Sequence, residues 1–175
     1  MRWDEMVSAQ PRLGEIARKQ LLGPGVVLAG TTRRDGTARI SGVEPLVMEG
    51  DLWLSMMAST KVVDLRRDPR ILVRSVITKP DGETEIMLRG AAREVADVDI
   101  QRRYAEAVAA AAGWRPVVGK FALFRIDIED VSYVSFDPES GDQHVARWPA
   151  GVEYTREHLT PTSYGPRRPA SVILL

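Results

Sequence analysis

Apolar residues recur three and four apart in "RLGEIARKQLL", where Leu13, Ile16, Ala17 and Leu21 share one face and predict an amphipathic helix. Gly23-Pro24-Gly25 stops it. The pattern then changes to that of strands. "VVLAGTTRRDGTARISGVEPLVMEGDLWLSMM" holds three β-type segments, separated by Arg34-Asp35-Gly36-Thr37 and by Glu49-Gly50-Asp51, both suited to hairpins. The third segment, "LWLSMM", is apolar without alternation, as in a strand buried on both sides.

Thr60 to Asp68 is long enough for about two helical turns, and Asp68-Pro69 ends it because a residue before proline is pushed out of the helical region. "RILVRSVIT" and "TEIMLRGAAREV" flank Lys79-Pro80-Asp81-Gly82-Glu83, a turn by its chemistry, and predict a second hairpin. "DVDIQRRYAEAVAAAAG" has Asp97 and Asp99 as cap candidates, is dense in alanine and closes on Gly113, so a helix is expected. "FALFRIDIEDVSYVSFD" alternates as a half-buried strand does, and "DQHVARW" is expected to pair beside it. Six or seven strands joined mostly by tight turns, with a small helix after the third and a larger one after the fifth, predict a mainly β antiparallel barrel with helices outside. A doubly wound parallel sheet would need a helix between most successive strands.

Composition narrows the picture. With 175 residues, one core is expected, over residues 1–150. Residues 151–175, rich in Pro, Ser, Thr and Gly until the final apolar stretch, are expected to form an extended arm with a docking end. Lys+Arg and Asp+Glu are both 24, so the overall basic field of a nucleic-acid binder is absent. There is no cysteine, which removes disulfides, thiolate metal sites and a cysteine nucleophile. No stretch resembles a membrane span or a secretory leader, and a cytoplasmic protein without a membrane partner is the expectation.

Candidate chemistry begins at "SMMASTKVVDLRRDP", Ser55 to Pro69. A helix start already carries partial positive charge and free N–H groups, so Lys61 in the first turn is unfavourable unless an anion sits beside it. Ser59 and Thr60 are N-cap types. With a simple hairpin register, Arg39 on the second strand is expected at the same end as Ser59, Thr60 and Lys61, and the four would suit a phosphate. Capping and a solvated lysine are the structural alternative. His144 and His158 have no second ligand at metal spacing, so packing or surface roles are expected and no metal site is assigned. No nucleophile elbow and no Gly-rich phosphate loop occurs.

"ARISGVEPLV", "LWLSMMASTKVVDLRRDPR" and "EIMLRGAAREV" together resemble the pyridoxamine 5′-phosphate oxidase-like flavin-binding split barrels, over roughly residues 13 to 148. The resemblance implies a homodimer with FMN, or the deazaflavin F420, at its interface. It implies Arg39 and Lys61 on the phosphate, Ile40, Ser41 and Gly42 along the ribityl chain and ring, Leu54 and Ser55 as a flavin-facing pair, and Arg147 as the remnant of a late substrate motif. Thr60 stands where the oxidase has arginine, Glu44 where it has a lysine and Glu85 where it has a glutamine. Arg66, Arg67 and Arg70 either contact a longer anionic tail or form a solvated cationic helix end. Trp148 either stacks on the ring or packs at an interface. The implied activity is hydride transfer between the cofactor and a small conjugated substrate, with no catalytic acid or base assigned. The alternative is a non-catalytic module that stores or senses flavin or haem.

Overall fold

The computed structural model describes residues 1–76 and 84–170. The turn read at residues 79–83 and the expected docking end at 171–175 lie outside them. Two helical segments open the chain, α1 (Trp3–Ala9) and α2 (Pro11–Ala17), and a π-helical turn (Arg18–Leu22) extends α2. The amphipathic face read from Leu13 to Leu21 is buried as expected. The first helix was not foreseen: Trp3 and Met6 are fully buried and anchor it, although two apolar residues three apart carry too little periodicity to identify a seven-residue helix.

The strands are β1 (Val27–Thr32), β2 (Ala38–Val43), β3 (Pro45–Met48), β4 (Asp51–Met57), β5 (Arg70–Arg74), β6 (Glu85–Glu94), β7 (Phe121–Phe136) and β8 (Gln143–Trp148). Between them lie α3 (Thr60–Arg67) and α4 (Val98–Ala112). Every strand pairing is antiparallel: β2 pairs β1, β1 pairs β5, β5 pairs β6, β6 pairs β7, β7 pairs β4, and β4 pairs β3. The segment read as one second strand is thus two. It breaks at Glu44-Pro45, with β2 on β1 and β3 on β4, and this bend turns the sheet into a split antiparallel β-barrel. The break also corrects the expected pairing of Arg39 with the strand leading to Lys61, because β2 does not pair with β4. The β3–β4 hairpin turns through Glu49 and Gly50, both at positive φ (53° and 80°), as a right-twisted two-residue hairpin demands.

The main core contains the barrel side chains Val27, Ala29, Leu52, Leu54, Val73, Leu88, Phe124 and Ile126, and the N-terminal helices pack into the same cluster. A smaller cluster of Met48, Trp53, Tyr104, Val108 and Leu123 lies where α4 covers β3, β4 and β7. The "LWLSMM" run has no alternation because both its faces are covered: Leu52 and Leu54 belong to one cluster and Trp53 to the other. Asp97 caps α4, accepting from the N–H of Asp99 (2.8 Å) and Ile100 (3.0 Å), and Gly113 ends the helix in the left-handed region (φ 75°).

β7 carries both halves of the sheet. Its first residues pair with β4, its last with β8, and β6 runs along the other side. Opposite Arg89 and Gly90 its register slips by one, since Arg89 faces Asp130 and Gly90 faces Ile128. The extra residue, Glu129, shifts the buried positions from Phe124, Ile126 and Ile128 to Val131 and Tyr133.

The arm is more ordered than expected. β9 (Val152–Arg156) extends the sheet beside β8, β12 (Arg168–Pro169) pairs with β9, and β10 (His158–Thr160) and β11 (Ser163–Tyr164) form a small hairpin. Its side chains remain largely exposed, so it adds backbone pairing and little core.

Candidate functional site

Ser59 is the N-cap of α3 by position, yet its hydroxyl makes no capping hydrogen bond. Lys61 takes part in no ion pair among the described residues. The first turn of α3 therefore offers a hydroxyl, an ammonium and the backbone N–H groups of Thr60 and Lys61, which have no partner among the described residues, whereas the Val62 and Val63 N–H groups donate to the Ser59 carbonyl (3.1 and 3.3 Å). Successive residues of this turn face two recesses, each of about 740 Å³.

The first recess is lined by Gly42 and Glu44 from β2 and the bend, Ser55 to Met57 from β4, Ser59 and Lys61 from α3, and residues 114–117 with Lys120 from the loop after α4. Its floor is polar at one place. Tyr104, buried under α4, donates its phenol proton to Ser55 Oγ at 3.0 Å, which leaves the Ser55 hydroxyl proton free to donate into the recess. Burial pushes the Tyr104 phenol up, against the Ser55 contact, and the Glu44 carboxylate adds to the rise. Tyr104 thus stays a neutral donor.

The second recess is lined by Arg33, Arg34, Asp35, Arg39, Thr60, Val63, Asp64 and Arg67. Its organiser is the buried carboxylate of Asp64. It accepts from Arg39 Nε at 2.7 Å and Thr31 Oγ1 at 3.4 Å, and Arg67 Nη1 lies 3.6 Å away. Arg39 makes no further side-chain hydrogen bond among the described residues, so its terminal nitrogens remain available. The Arg39 hydrogen bond holds the Asp64 carboxyl below the usual aspartate range. A depressed native pKa contributes stability that is present above the unfolded value near pH about 4 and is lost as pH falls through the native value. Asp64→Asn is accordingly expected to be less stable than wild type at pH 7, with the gap closing below pH about 4. Guanidinium midpoints at neutral and acid pH measure it, and a gap of constant size across that range would contradict the pairing.

The ten residues singled out in the sequence separate into three groups. Gly42, Ser55, Ser59 and Lys61 meet in the first recess, and Arg39 and Thr60 line the second. Ile40, Ser41, Leu54 and Arg147 line neither. On β2 the residues alternate, Ile40 (70% exposed) and Gly42 on one face and Arg39 and Ser41 on the other, so each face brings one residue to a recess and leaves one outside. Leu54 is wholly buried in the core, and Arg147 on β8 lies 3.5 Å from Asp130. Of the three basic residues on α3 and after it, Arg66 pairs with Glu94 (2.6 Å) and Arg70 with Asp68 (2.6 Å), so only Arg67 reaches a recess. Trp148 packs against the main core. His144 is buried on β8 and His158 packs on Tyr164, and neither lines a recess. Sequence reasoning missed Tyr104, Trp114, Arg115 and Lys120. Tyr104 and Val108 stand four apart on one face of α4, a signal hidden by the alanines around it.

No family model matches the chain, and comparison with curated proteins finds no match in sequence. Solved structures do match. A conserved hypothetical protein from Mycobacterium tuberculosis superposes with a TM-score of 0.57 at 22% identity, covering 71% of this chain and 84% of that one. A haem-binding protein from Mycobacterium smegmatis gives 0.56 at 19% identity, over 78% of this chain and 58% of that one. A structure described as an F420 reductase gives 0.52 at 12% identity, over 65% and 94%. At these identities the likeness concerns the fold alone, the split antiparallel β-barrel described above.

Proposed function

We propose that this chain binds a flavin-type cofactor, FMN or F420, and uses it in hydride transfer to a small conjugated substrate. The carrying observation is the start of α3, where the Ser59 hydroxyl, the Lys61 ammonium and the N–H groups of Thr60 and Lys61 have no partner among the described residues, beside a recess of about 740 Å³. A phosphate there would be held by charge-assisted hydrogen bonds and by the helix dipole, while Arg39, paired with Asp64, lines the second recess on the other side of this turn. The recess fits a planar ring: Val43, Met56 and Met57 offer apolar contact, and the Ser55 hydroxyl offers one directed hydrogen bond. The names of solved neighbours, an F420 reductase and a haem-binding protein, are consistent with ligands of this size.

The cofactor supplies the hydride chemistry when bound, and the chain's residues position it and shield it. Met57 (77% exposed) in the first recess and Val63 (60%) in the second leave apolar surface at both, which supports a homodimer in which a second copy covers the site. Fluorescence titration tests the binding step. Purified protein at micromolar concentration is expected to quench FMN or F420, and quenching of neither would sink the proposal. The alternative of a storage or sensing module is favoured by the scarcity of proton-transfer groups, since Glu44 is the one carboxylate lining the first recess among the described residues. Anaerobic turnover with quinone and enone acceptors separates the two: stoichiometric binding without reduction would favour storage.

A further inference from the structure

The wall of the first recess formed by residues 114–120 has no role in holding a phosphate at α3, yet it carries two cations. Arg115 and Lys120 line the recess, as Lys61 does, and none of the three has an ion-pair or side-chain hydrogen-bond partner among the described residues. Elsewhere arginines are generally matched, as Arg2 is with Asp51, Arg39 with Asp64 and Arg89 with Asp130. Three unmatched cations around one recess, with Glu44 as the only acid lining it among the described residues, repel one another until an anion arrives.

The wall is also preformed. Gly119 donates its backbone N–H to Oε1 of the buried Gln101 at 3.0 Å, Lys120 N–H closes a turn on the Val117 carbonyl at 3.0 Å, and Phe121 packs on Tyr104 with ring centroids 5.7 Å apart. On the same wall Trp114 is 46% exposed and Val117 67% exposed. Apolar surface left open beside unmatched cations is what a flat body bearing an acidic group would cover.

We infer that Arg115 and Lys120 form a second anion subsite in the first recess, which takes a carboxylate or phosphate on a planar, largely apolar molecule. The inference rests on the reading that the α3 start holds the cofactor phosphate. The acidic group belongs either to the hydride acceptor, making it an acidic conjugated compound, or to a tail of the cofactor itself.

The test uses two fluorescent probes with the same hydrocarbon frame: 8-anilinonaphthalene-1-sulfonate, which is anionic, and N-phenyl-1-naphthylamine, which is not. Arg115→Gln/Lys120→Gln is expected to weaken the sulfonate about tenfold or more, while binding of the neutral probe changes by less than about twofold. The charge-keeping variant Arg115→Lys/Lys120→Arg is expected to restore much of the sulfonate affinity. Unchanged sulfonate binding, or an equal loss for both probes, would overturn the inference. So would Lys61→Gln weakening the sulfonate as much as the double substitution, because the three cations would then be one site. Saturating FMN distinguishes the sources: continued sulfonate binding assigns the subsite to a second molecule, and displacement assigns it to the cofactor. Neither probe is a flavin, so failure of the cofactor reading, seen as no quenching of FMN or F420, is separable from failure here.

Discussion

Gly90→Ala is expected to destabilise the protein by more than about 3 kcal/mol, lowering the thermal midpoint by on the order of 10 °C or abolishing soluble expression. A Cβ at this position would stand 2.0 Å from the Asp127 carbonyl oxygen and 2.9 Å from its carbon. Both contacts are to backbone, which cannot rotate away as a side-chain end can. Relief would require β6 and β7 to separate where the bulge at Glu129 resets the inward positions from Ile128 to Val131. The barrel strand and its extension beyond the barrel are both held by that step. Gly42→Ala is the matched control, since its Cβ would meet only Val26 Cγ2 at 3.5 Å, an ordinary contact. Thermal unfolding of the two variants measures the difference, and a Gly90→Ala protein as stable as Gly42→Ala would show that the strands do not approach as described.

Lys61→Ala is expected to weaken FMN binding by roughly 10- to 100-fold, the size of a charge-assisted hydrogen bond lost from a phosphate. The same substitution is expected to leave riboflavin, which has the ring and no phosphate, within about twofold of wild type. Raised salt should narrow the wild-type advantage, because the lysine lies at the rim of an open recess and is screened. Lys61 takes part in no ion pair or side-chain hydrogen bond among the described residues, so its loss is expected to leave the thermal midpoint nearly unchanged. Fluorescence titration with the two flavins reads the contrast directly. Equal weakening of both would place the ring, not the phosphate, near Lys61.

Much of this architecture could be read from local pattern because the governing physics is local. The amphipathic face of α2, the hairpin at Glu49-Gly50, the stop at Asp68-Pro69 and the capped, alanine-rich α4 each depend on neighbours within a few residues. The helix start at Ser59 and Lys61 was legible for the same reason, since a helix start presents its N–H groups wherever it occurs. α1 was not legible, because its stability comes from burying Trp3 and Met6 in a core assembled by distant strands.

What the chain's sequence determined by itself is therefore most of the elements between α2 and β8, the hairpin at Glu49-Gly50, the stop at Asp68-Pro69 and one cation-bearing helix start. Tertiary structure decided how these meet. The bend at Glu44-Pro45 moved Arg39 off the strand that leads to Lys61, and the pull of Asp64 set its guanidinium in the second recess. The approach of α4 to β4 brought Tyr104 onto Ser55, 49 residues away, and the loop after α4 brought Arg115 and Lys120 to the recess that Lys61 lines. Such encounters have no periodicity or spacing in the sequence. They follow from the strand order β2-β1-β5-β6-β7-β4-β3, which fixes which strand ends and loops share one face, and that order is a property of the whole sheet.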